Sequence, residues 1–362
     1  MVSMQRVVIL NTFSRACLEQ ARGILEDANC EVVVGKSFNP NLLDRYPESE
    51  VRELLSAADA VLTASRKARI EAGTLEPGPK KLRGIVTCSI GYESIDVEAC
   101  TQYGVLVSNS PVETNYEGVV QHTVLLILAL MRRLDFFREW ASSGRAWSPY
   151  EIASLPGYLD DNVTLGVVGL GRIGYRVARL FKQNFKTQVT SYDPYVPEEK
   201  AQQLGIKMTE DLSTLLQQSD IVTLHVPLTE ETRHFIGGRE LKLMKKTAFL
   251  VNTSRGGVLD EDALIRVLKE GLIAGAALDV AVGEPMSPSN PLLQMQNVIV
   301  TPHIAGISSS HQRRGTEFAA NNIIRLISGK VPTVVVNPIA IPKWKERFGV
   351  TRVHYGGVVH YN

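Results

Sequence analysis

Residues 163–174 read VTLGVVGLGRIG, a short apolar run followed by three glycines in the pattern G-x-G-x-x-G. Glycine-rich turns are common, so the pattern alone is weak evidence for a ligand site. Here it follows a predicted strand at 164–168 and opens a predicted helix at 173–181. A strand, a glycine turn and a helix in this order are typical of a dinucleotide-binding α/β unit. The stretch therefore predicts a parallel sheet with a nucleotide site at its edge.

Each glycine has a separate physical role in such a turn. Gly169 would make the tight turn, Gly171 would let the backbone approach a pyrophosphate, and Gly174 would let the helix pack closely on the strand. The helix N-terminus presents backbone N–H groups to the phosphates. The next predicted strand ends at Asp193, 193 − 174 = 19 residues past the last glycine. A carboxylate there binds ribose hydroxyls and repels a 2′-phosphate, which favours NAD over NADP, unless Asp193 is only a turn residue before Pro194.

The composition is that of an ordinary globular protein. Of 362 residues, 44% are hydrophobic and 21% are charged, and the formal net charge is +1. This balance gives no electrostatic reason to expect a nucleic-acid or membrane partner. The longest apolar-rich stretch, 119–131, is too short to span a bilayer, and the N-terminus does not resemble a signal peptide. Four cysteines without metal-ligand spacing indicate reduced thiols and no metal site, although oxidised pairs stay open, and we expect a cytoplasmic protein.

Short apolar strands alternate with amphipathic helices along the chain, which indicates two α/β lobes with parallel sheets covered on both faces. The first series of strands is predicted at 6–10, 32–34, 60–63, 84–87 and 105–108. The second series begins at residue 163 and ends near residue 303. Long helices are predicted at 116–141 and at 309–327, and the tail 350–362 has the pattern of a β-hairpin around two glycines.

Polar residues follow five strands of the second series: Asp193, His225, Arg255, Asp279 and His303. If these strands are parallel, all five residues lie at one edge of one sheet, where ligands bind in open α/β folds. An arginine can bind a carboxylate through two hydrogen bonds and stays charged. A histidine can exchange a proton near neutral pH, and a carboxylate partner orients its ring. This set suits hydride transfer between a 2-hydroxy acid and NAD.

Six stretches together resemble the D-isomer-specific 2-hydroxyacid dehydrogenase family, over nearly the whole chain to about residue 337. They are SIGYESID (89–96), GLGRIGYRVA (169–178), LHVPLTEET (224–232), VNTSRGGVLDEDAL (251–264), ALDVAVGEP (277–285) and TPHIAG (301–306). The resemblance implies an α/β fold of two Rossmann-like, doubly wound parallel-sheet domains with a cleft between them. Residues 1–109 plus 309–362 would form a flavodoxin-like substrate domain, and residues 110–308 an NAD-binding domain. The activity would be NAD-dependent interconversion of a D-2-hydroxy acid and its 2-keto acid, which we expect to run as keto-acid reduction.

The same resemblance implies catalytic roles for three residues. Arg255 would hold the substrate carboxylate, His303 would be the acid/base, and Glu284 would be its acidic partner. Each could instead be structural: a surface ion pair, a satisfied histidine or a turn residue. The resemblance also implies that backbone N–H groups of three residues in SIGYESID bind the substrate carboxylate. These residues are Ser89, Ile90 and Gly91.

The resemblance places the cofactor at the glycine turn and Asp193, with Asp279 against the nicotinamide carboxamide. Further cofactor contacts fall on Arg172, Ile173, His225, Pro227, Thr232 and Thr253. For His225 a backbone or packing role is favoured over chemistry. No motif supports a catalytic role for His122, His234, His311, His354 or His360.

The chain departs from the family pattern in three places. Gln121 stands where an acidic residue is usual, and Ala64 stands where many members have arginine. Arg66 and Lys67, just beyond Ala64, could receive an anionic substrate tail or could be solvated loop charges. The tail at 338–362 lies outside the family pattern, and its role is not predicted.

Two other functions fit the same residues. The chain could be a non-enzymatic NAD(H)-sensing, corepressor-like binding protein, or a phosphite-type NAD-dependent dehydrogenase. The sequence does not identify which 2-hydroxy acid is the substrate. The predicted helix at 116–141 resembles the family's dimerisation element, so we expect a homodimer.

Overall fold

The computed structural model describes residues 4–35, 46–64, 68–144 and 159–350. The chain divides into two compact units, Met1–Asn115 with Ser308–Asn362, and Tyr116–Ile307. The sequence predicted domain boundaries after residues 109 and 308, whereas the boundaries between the two units lie after residues 115 and 307. Apart from Val350, the predicted hairpin of the tail lies outside the described residues.

The first unit contains a parallel sheet of five strands in the order β2-β1-β3-β4-β5. The strands are β1 (Gln5–Ile9), β2 (Cys30–Val34), β3 (Ala60–Thr63), β4 (Gly84–Thr87) and β5 (Leu106–Ser108). Its α-helices are Arg15–Asp27, Glu48–Ala57, Val97–Gln102, Ser309–Ile327 and Ile341–Phe348. This strand order is the flavodoxin-like arrangement.

The second unit contains a parallel sheet of seven strands in the order β12-β11-β10-β9-β6-β7-β8. The strands are β6 (Thr164–Val168), β7 (Gln188–Tyr192), β8 (Lys207–Met208), β9 (Ile221–Leu224), β10 (Phe249–Asn252), β11 (Gly275–Leu278) and β12 (Val298–Val300). The first six strands in chain order have the Rossmann order 3-2-1-4-5-6, and the strand order reverses between β6 and β9. The predicted fold class is therefore confirmed.

The predicted single helix at 116–141 is wrong, because two helices occupy this stretch. They are Glu113–Met131 and Leu134–Ser142. Arg133 lies between them with a φ of 47°, a left-handed conformation that a continuous α-helix does not contain. The apolar pattern continues through the break, so the sequence does not reveal it. The other helices of this unit are Arg172–Leu180, Glu198–Gln202, Leu212–Gln218, Gly238–Leu243 and Glu261–Lys269.

Both faces of the first sheet are buried. Successive residues of a strand point to opposite sides of the sheet, so the two faces pack into different apolar clusters. Val7 and Ile9 lie in one apolar cluster with Ile323 of the helix Ser309–Ile327. Val8 lies in a second cluster, on the other face, with Leu55. The near-continuous apolar runs that predicted the strands therefore reflect two separate cores.

Within the described part of the chain, no helix is long and apolar enough to cross a bilayer. Nor do these residues contain a group of three or more His, Cys, Asp or Glu side chains that could hold a metal ion. All four cysteines are buried and free, as predicted. Burial raises the pKa of Cys88 and of Cys100 to about 12, so both are neutral thiols.

The glycine turn after β6 depends on two close backbone approaches. Gly169 has a φ of +92°, and an added Cβ would lie 2.8 Å from the carbonyl oxygen of His225. A Cβ at Gly174 would lie 1.9 Å from the carbonyl oxygen of Gly169, so only glycine lets the helix Arg172–Leu180 begin this close to the turn. A Cβ at Gly171 would meet no atom within 4 Å.

Replacing Gly174 by alanine should therefore destabilise the fold, whereas the same change at Gly171 should be tolerated. We expect Gly174→Ala to lower the free energy of unfolding by roughly 1–3 kcal/mol or more, as overpacking does. Gly171→Ala is the matched control and should stay within about 1 kcal/mol of the unchanged protein. Urea unfolding of both variants measures this, and equal stabilities would contradict the packing argument.

Candidate active site

Residues that follow the strands of the second unit share one edge of its sheet, because all seven strands are parallel. The predicted common edge is therefore confirmed. One residue after β7, β9 and β11 come Asp193, His225 and Asp279. Three residues after β10 and β12 come Arg255 and His303. Neighbouring strands lie about 4.8 Å apart, so the axes of β10 and β12 are roughly 10 Å apart.

The carboxylate of Asp193 braces the glycine turn. One of its oxygens accepts a hydrogen bond from the backbone N–H of Leu170 at 2.8 Å, and the other accepts one from the backbone N–H of Tyr195 at 3.0 Å. A carboxylate has about four acceptor positions, so capacity for a ligand hydroxyl exists beside these two bonds. Arg172, the first residue of the following helix, donates to the hydroxyl of Tyr116 at 2.5 Å.

Four of the predicted cofactor residues lie in the loops that follow β9 and β10. The Thr232 hydroxyl donates to the carbonyl of Pro227 at 2.6 Å, which closes the loop after β9. The hydroxyls of Thr253 and Thr123 are 2.9 Å apart. The backbone N–H of His225 extends the sheet by donating to Val168. Burial lowers the pKa of His225 to about 3, so its ring is neutral at pH 7.

The loop after β10 holds the backbone on both sides of Arg255. Asn252 is fully buried, and its amide donates to the carbonyl of Arg255 at 3.0 Å. The Asn252 side-chain oxygen accepts from both the backbone and the hydroxyl of Ser254. Gly256 lets the next turn approach Ala281, because an added Cβ would lie 2.1 Å from that carbonyl. The arginine thus extends from a rigid loop, partly buried, with one guanidinium nitrogen 2.8 Å from the Ser254 carbonyl.

His303 and Glu284 form an ion-pair geometry. Nδ1 of His303 is 2.7 Å from Oε2 of Glu284, and the other carboxylate oxygen accepts from the backbone N–H of Ala281 at 3.2 Å. The Glu284 side chain is 16% exposed and the His303 side chain 36% exposed. The Nδ1 edge of the ring is therefore held by the carboxylate, and about a third of the side chain is exposed. The structure brings together the histidine and the acid that the sequence paired.

Asp279 is 1% exposed and binds the loop that carries His303. Its Oδ1 accepts from the hydroxyl of Thr301 at 2.6 Å and from the backbone N–H of Ile304 at 2.9 Å. Its Oδ2 accepts from the backbone N–H of Ala305 at 2.9 Å. The Asp279 carbonyl also accepts from the backbone N–H of His303 at 2.8 Å. The sequence did not reveal this bracing role, because the four donors belong to a segment more than twenty residues away.

The loop predicted to bind the substrate carboxylate belongs to the first unit. The hydroxyl of Ser89 donates to the carbonyl of Gly91 at 2.8 Å, and the side-chain amide of Asn109 donates to Ile90 at 2.7 Å. The backbone N–H of Ser89 lies 3.2 Å from the hydroxyl of Thr87. These bonds hold the backbone of the loop in one conformation.

Two of the departures from the family pattern can be located. Ala64 is 3% exposed, and its N–H donates to the side-chain oxygen of Asn11 at 2.7 Å. Gln121 is exposed on its helix. Arg66 and Lys67, the two cations considered for an anionic substrate tail, lie outside the described residues.

Known proteins resemble this chain in sequence and in structure. A family model described as D-isomer specific 2-hydroxyacid dehydrogenase, NAD binding domain, matches residues 124–305. A glyoxylate reductase of Aeropyrum pernix is 38% identical over 311 residues, which is 84% of this chain and 91% of that protein. A D-lactate dehydrogenase of Aquifex aeolicus, solved with NAD and lactic acid, is 30% identical with a TM-score of 0.76, covering 89% of this chain and 96% of that one. A Thermus thermophilus protein is 30% identical with a TM-score of 0.80, and the match covers 92% of this chain and 100% of that protein.

The neutral, half-buried His225 should make the fold sensitive to acid. Its pKa is lowered by burial, so between pH 6.5 and about 3 the unfolded chain binds a proton there that the folded chain does not. Stability should therefore fall as the pH drops through this window, by up to about 2 kcal/mol between pH 7 and pH 5. Urea unfolding at both pH values, compared with His225→Gln, measures the effect. The variant should lose less stability on acidification, and an equal loss in both proteins would refute the assignment.

Proposed function

Because the chain belongs to the D-isomer specific 2-hydroxyacid dehydrogenase family, we propose that it works as a reductase, converting a small 2-keto acid to the D-2-hydroxy acid with NADH. The chain is an NAD-dependent oxidoreductase of this class, which confirms the predicted enzyme and sets aside the non-enzymatic alternative. The observation that carries our assignment of residues is the 2.7 Å contact between His303 and Glu284, at the sheet edge that also carries Arg255.

The glycine turn fits a dinucleotide. The space beside Gly171 would admit a pyrophosphate at the N-terminus of the helix Arg172–Leu180. We assign the adenosine ribose to Asp193, whose charge would repel a 2′-phosphate, and this supports NADH over NADPH. NADH, when bound, supplies the hydride. The chain's own residues orient the reactants and supply the proton.

The remaining cofactor contacts are also part of the proposal. They are Gly169, Arg172, Ile173, Gly174, His225, Pro227, Thr232, Thr253 and Asp279. For Asp279 the structure limits the role, because protein donors already occupy at least three of the roughly four acceptor positions of a carboxylate. A nicotinamide carboxamide could therefore gain little more than one hydrogen bond from it.

Arg255 is proposed to hold the substrate carboxylate through its planar guanidinium. Backbone N–H groups of Ser89, Ile90 and Gly91 are proposed as substrate contacts on the family resemblance. Holding the carboxylate fixes the neighbouring keto carbon in the position where it can accept the hydride. The permanent charge of the guanidinium also offsets the charge that develops on the carbonyl oxygen.

His303 is proposed to deliver the proton. With Nδ1 held by Glu284, the ring presents Nε2 as the nitrogen that transfers a proton to the substrate. As the hydride adds to the keto carbon, the C=O π electrons move to oxygen, and oxygen takes the proton from Nε2. The product is a 2-hydroxy acid and a neutral histidine.

A substrate panel tests the function. NADH oxidation would be followed with glyoxylate, hydroxypyruvate, pyruvate and phenylpyruvate, and NAD reduction with phosphite. Glyoxylate is the first candidate, because the Aeropyrum relative is named for it. Turnover of at least one keto acid supports the proposal. Turnover of phosphite alone would replace it with the phosphite-type alternative.

Replacing Arg255 by alanine should mainly weaken keto-acid binding. The loss of two charge-assisted hydrogen bonds of about 1.5–3 kcal/mol each predicts a fall in kcat/KM of about 10²–10⁴-fold, with a raised KM. Arg255→Lys keeps the charge but not the planar fork, so it should recover only part of the loss. NADH affinity, measured by fluorescence titration, should change little. A collapse of NADH affinity would remove Arg255 from the substrate site.

Replacing His303 by alanine should abolish most turnover and leave the fold intact. The loss of a general acid costs about 10²–10⁴-fold in kcat. Glu284→Gln should give a smaller loss, because the ring keeps a hydrogen-bond partner but loses the nearby charge. Thermal unfolding of both variants controls for folding. Near-normal kcat in His303→Ala would exclude it as the acid.

The cellular location and the oligomeric state are proposed as well. We propose a cytoplasmic protein, in keeping with four buried free cysteines. We also propose a homodimer, which light scattering of the purified protein tests directly.

A further inference from the structure

One histidine that no sequence motif singled out faces the loop of His303. His122 lies in the helix Glu113–Met131, and its side chain is 13% exposed. Its Nε2 is 3.0 Å from the hydroxyl oxygen of Thr301 and 3.5 Å from Oδ1 of Asp279. A polar side chain of this helix thus reaches the segment that follows β12.

The direction of the hydrogen bonds follows from the number of protons. The Thr301 hydroxyl has one proton, and its 2.6 Å contact with the Asp279 carboxylate requires that proton, because a carboxylate can only accept. The hydroxyl oxygen must therefore accept its bond from His122. The ring then carries its proton on Nε2, and a chain of donors runs from His122 through Thr301 to Asp279.

The end of this chain holds the histidine loop. Asp279 accepts from the backbone N–H groups of Ile304 and Ala305, and its carbonyl accepts from that of His303. His303 has a φ of +56°, a left-handed conformation that costs a non-glycine residue about 1–2 kcal/mol. Such a conformation persists only where the surroundings fix it. The hydrogen bonds to Asp279 on both sides of His303 provide that constraint.

The same helix also packs against this loop one turn earlier. Gly118 is four residues before His122 and therefore lies on the same helix face. A Cβ at Gly118 would lie 2.9 Å from the carbonyl oxygen of Ala305 and 3.6 Å from Gly306. Close packing and a polar contact thus bring one helix face against the loop at two points.

We propose that His122 is a positioning residue for the reaction: through Thr301 and Asp279 it holds the loop that presents His303 to the substrate. The proposal rests on the function proposed above only for its effect on turnover. Its structural part, the hold on the loop, is independent of that function. His122 itself touches neither substrate nor cofactor in this role.

Two substitutions of His122 separate the hydrogen bond from simple packing. His122→Leu keeps the volume of the side chain but removes the hydrogen-bond donor. His122→Gln places an amide N–H where it can still donate to the Thr301 hydroxyl. We expect His122→Leu to lower kcat by about 10–100-fold, the effect of a slightly misplaced catalytic group. His122→Gln should stay close to the unchanged protein. Gln121→Leu, at the exposed neighbouring position, is the matched control and should change nothing.

The expected loss lies in kcat and not in binding. Because the reacting groups remain but are less well placed, the KM for the keto acid and the Kd for NADH should stay within about twofold. A double-mutant cycle with Thr301→Val tests the route. If His122 acts through Thr301, adding His122→Leu to Thr301→Val should cost little more, whereas independent effects would multiply.

Hydrogen exchange gives a readout that needs no turnover. The backbone amides of Ile304 and Ala305 should exchange faster in His122→Leu and not in His122→Gln, while peptides from the far side of the sheet stay unchanged. Multiplying effects in the cycle, equal activities of the two His122 variants, or unchanged exchange at the loop would each overturn the proposal. If His122→Leu does not fold, His122→Asn, whose amide is too short to reach Thr301, takes its place with the same expectations. If the unchanged protein reduces no keto acid, the proposed function fails, and the exchange data still decide whether His122 holds the loop.

Discussion

A carboxylate that is almost fully buried is costly unless several donors surround it, and Asp279 meets this condition by binding the loop that follows β12. Its hydrogen bonds to Ile304 and Ala305 leave His303 in a left-handed conformation beside Glu284. The stability of the site and its geometry thus depend on the same bonds. Weakening these hydrogen bonds would leave the buried Asp279 carboxylate with too few donors, which would destabilise the fold. It would also free the loop that holds His303.

The strand order distributes the chemistry along the sheet. His303, Asp279 and Arg255 follow β12, β11 and β10, three adjacent strands at one end, whereas the glycine turn follows β6 in the middle. A ligand that spans these strands would therefore have its reacting end over the arginine and histidine and its phosphates over the turn. Because every strand is parallel, one sheet edge can supply the carboxylate anchor, the proton donor and the phosphate site that we propose.

Much of the fold and of the site could be predicted from the sequence. β3 and β4 have the predicted bounds, because both are short, apolar and β-branched. The pairing of Glu284 with His303 came from a family resemblance and not from spacing, since the two residues are nineteen positions apart. The break at Arg133 was missed, because the apolar pattern runs through it without a proline or a glycine. The donor role of His122 was also missed, since a lone histidine in a helix has no local signature.

The sequence by itself determined which segments form helices and which form strands, and which types of residue follow the strands. Hydrophobic spacing and turn residues carry this information, because they act over only a few positions. It also determined where glycine is needed, as at Gly174. Only the tertiary structure decided which groups from distant parts of the chain form hydrogen bonds or ion pairs with one another. Asp279 meets Thr301, and Thr301 meets His122, because β11 and β12 are neighbours and a helix from much earlier in the chain packs against the loop after them. Contacts of this kind depend on the order of strands and on packing, and no local pattern encodes them.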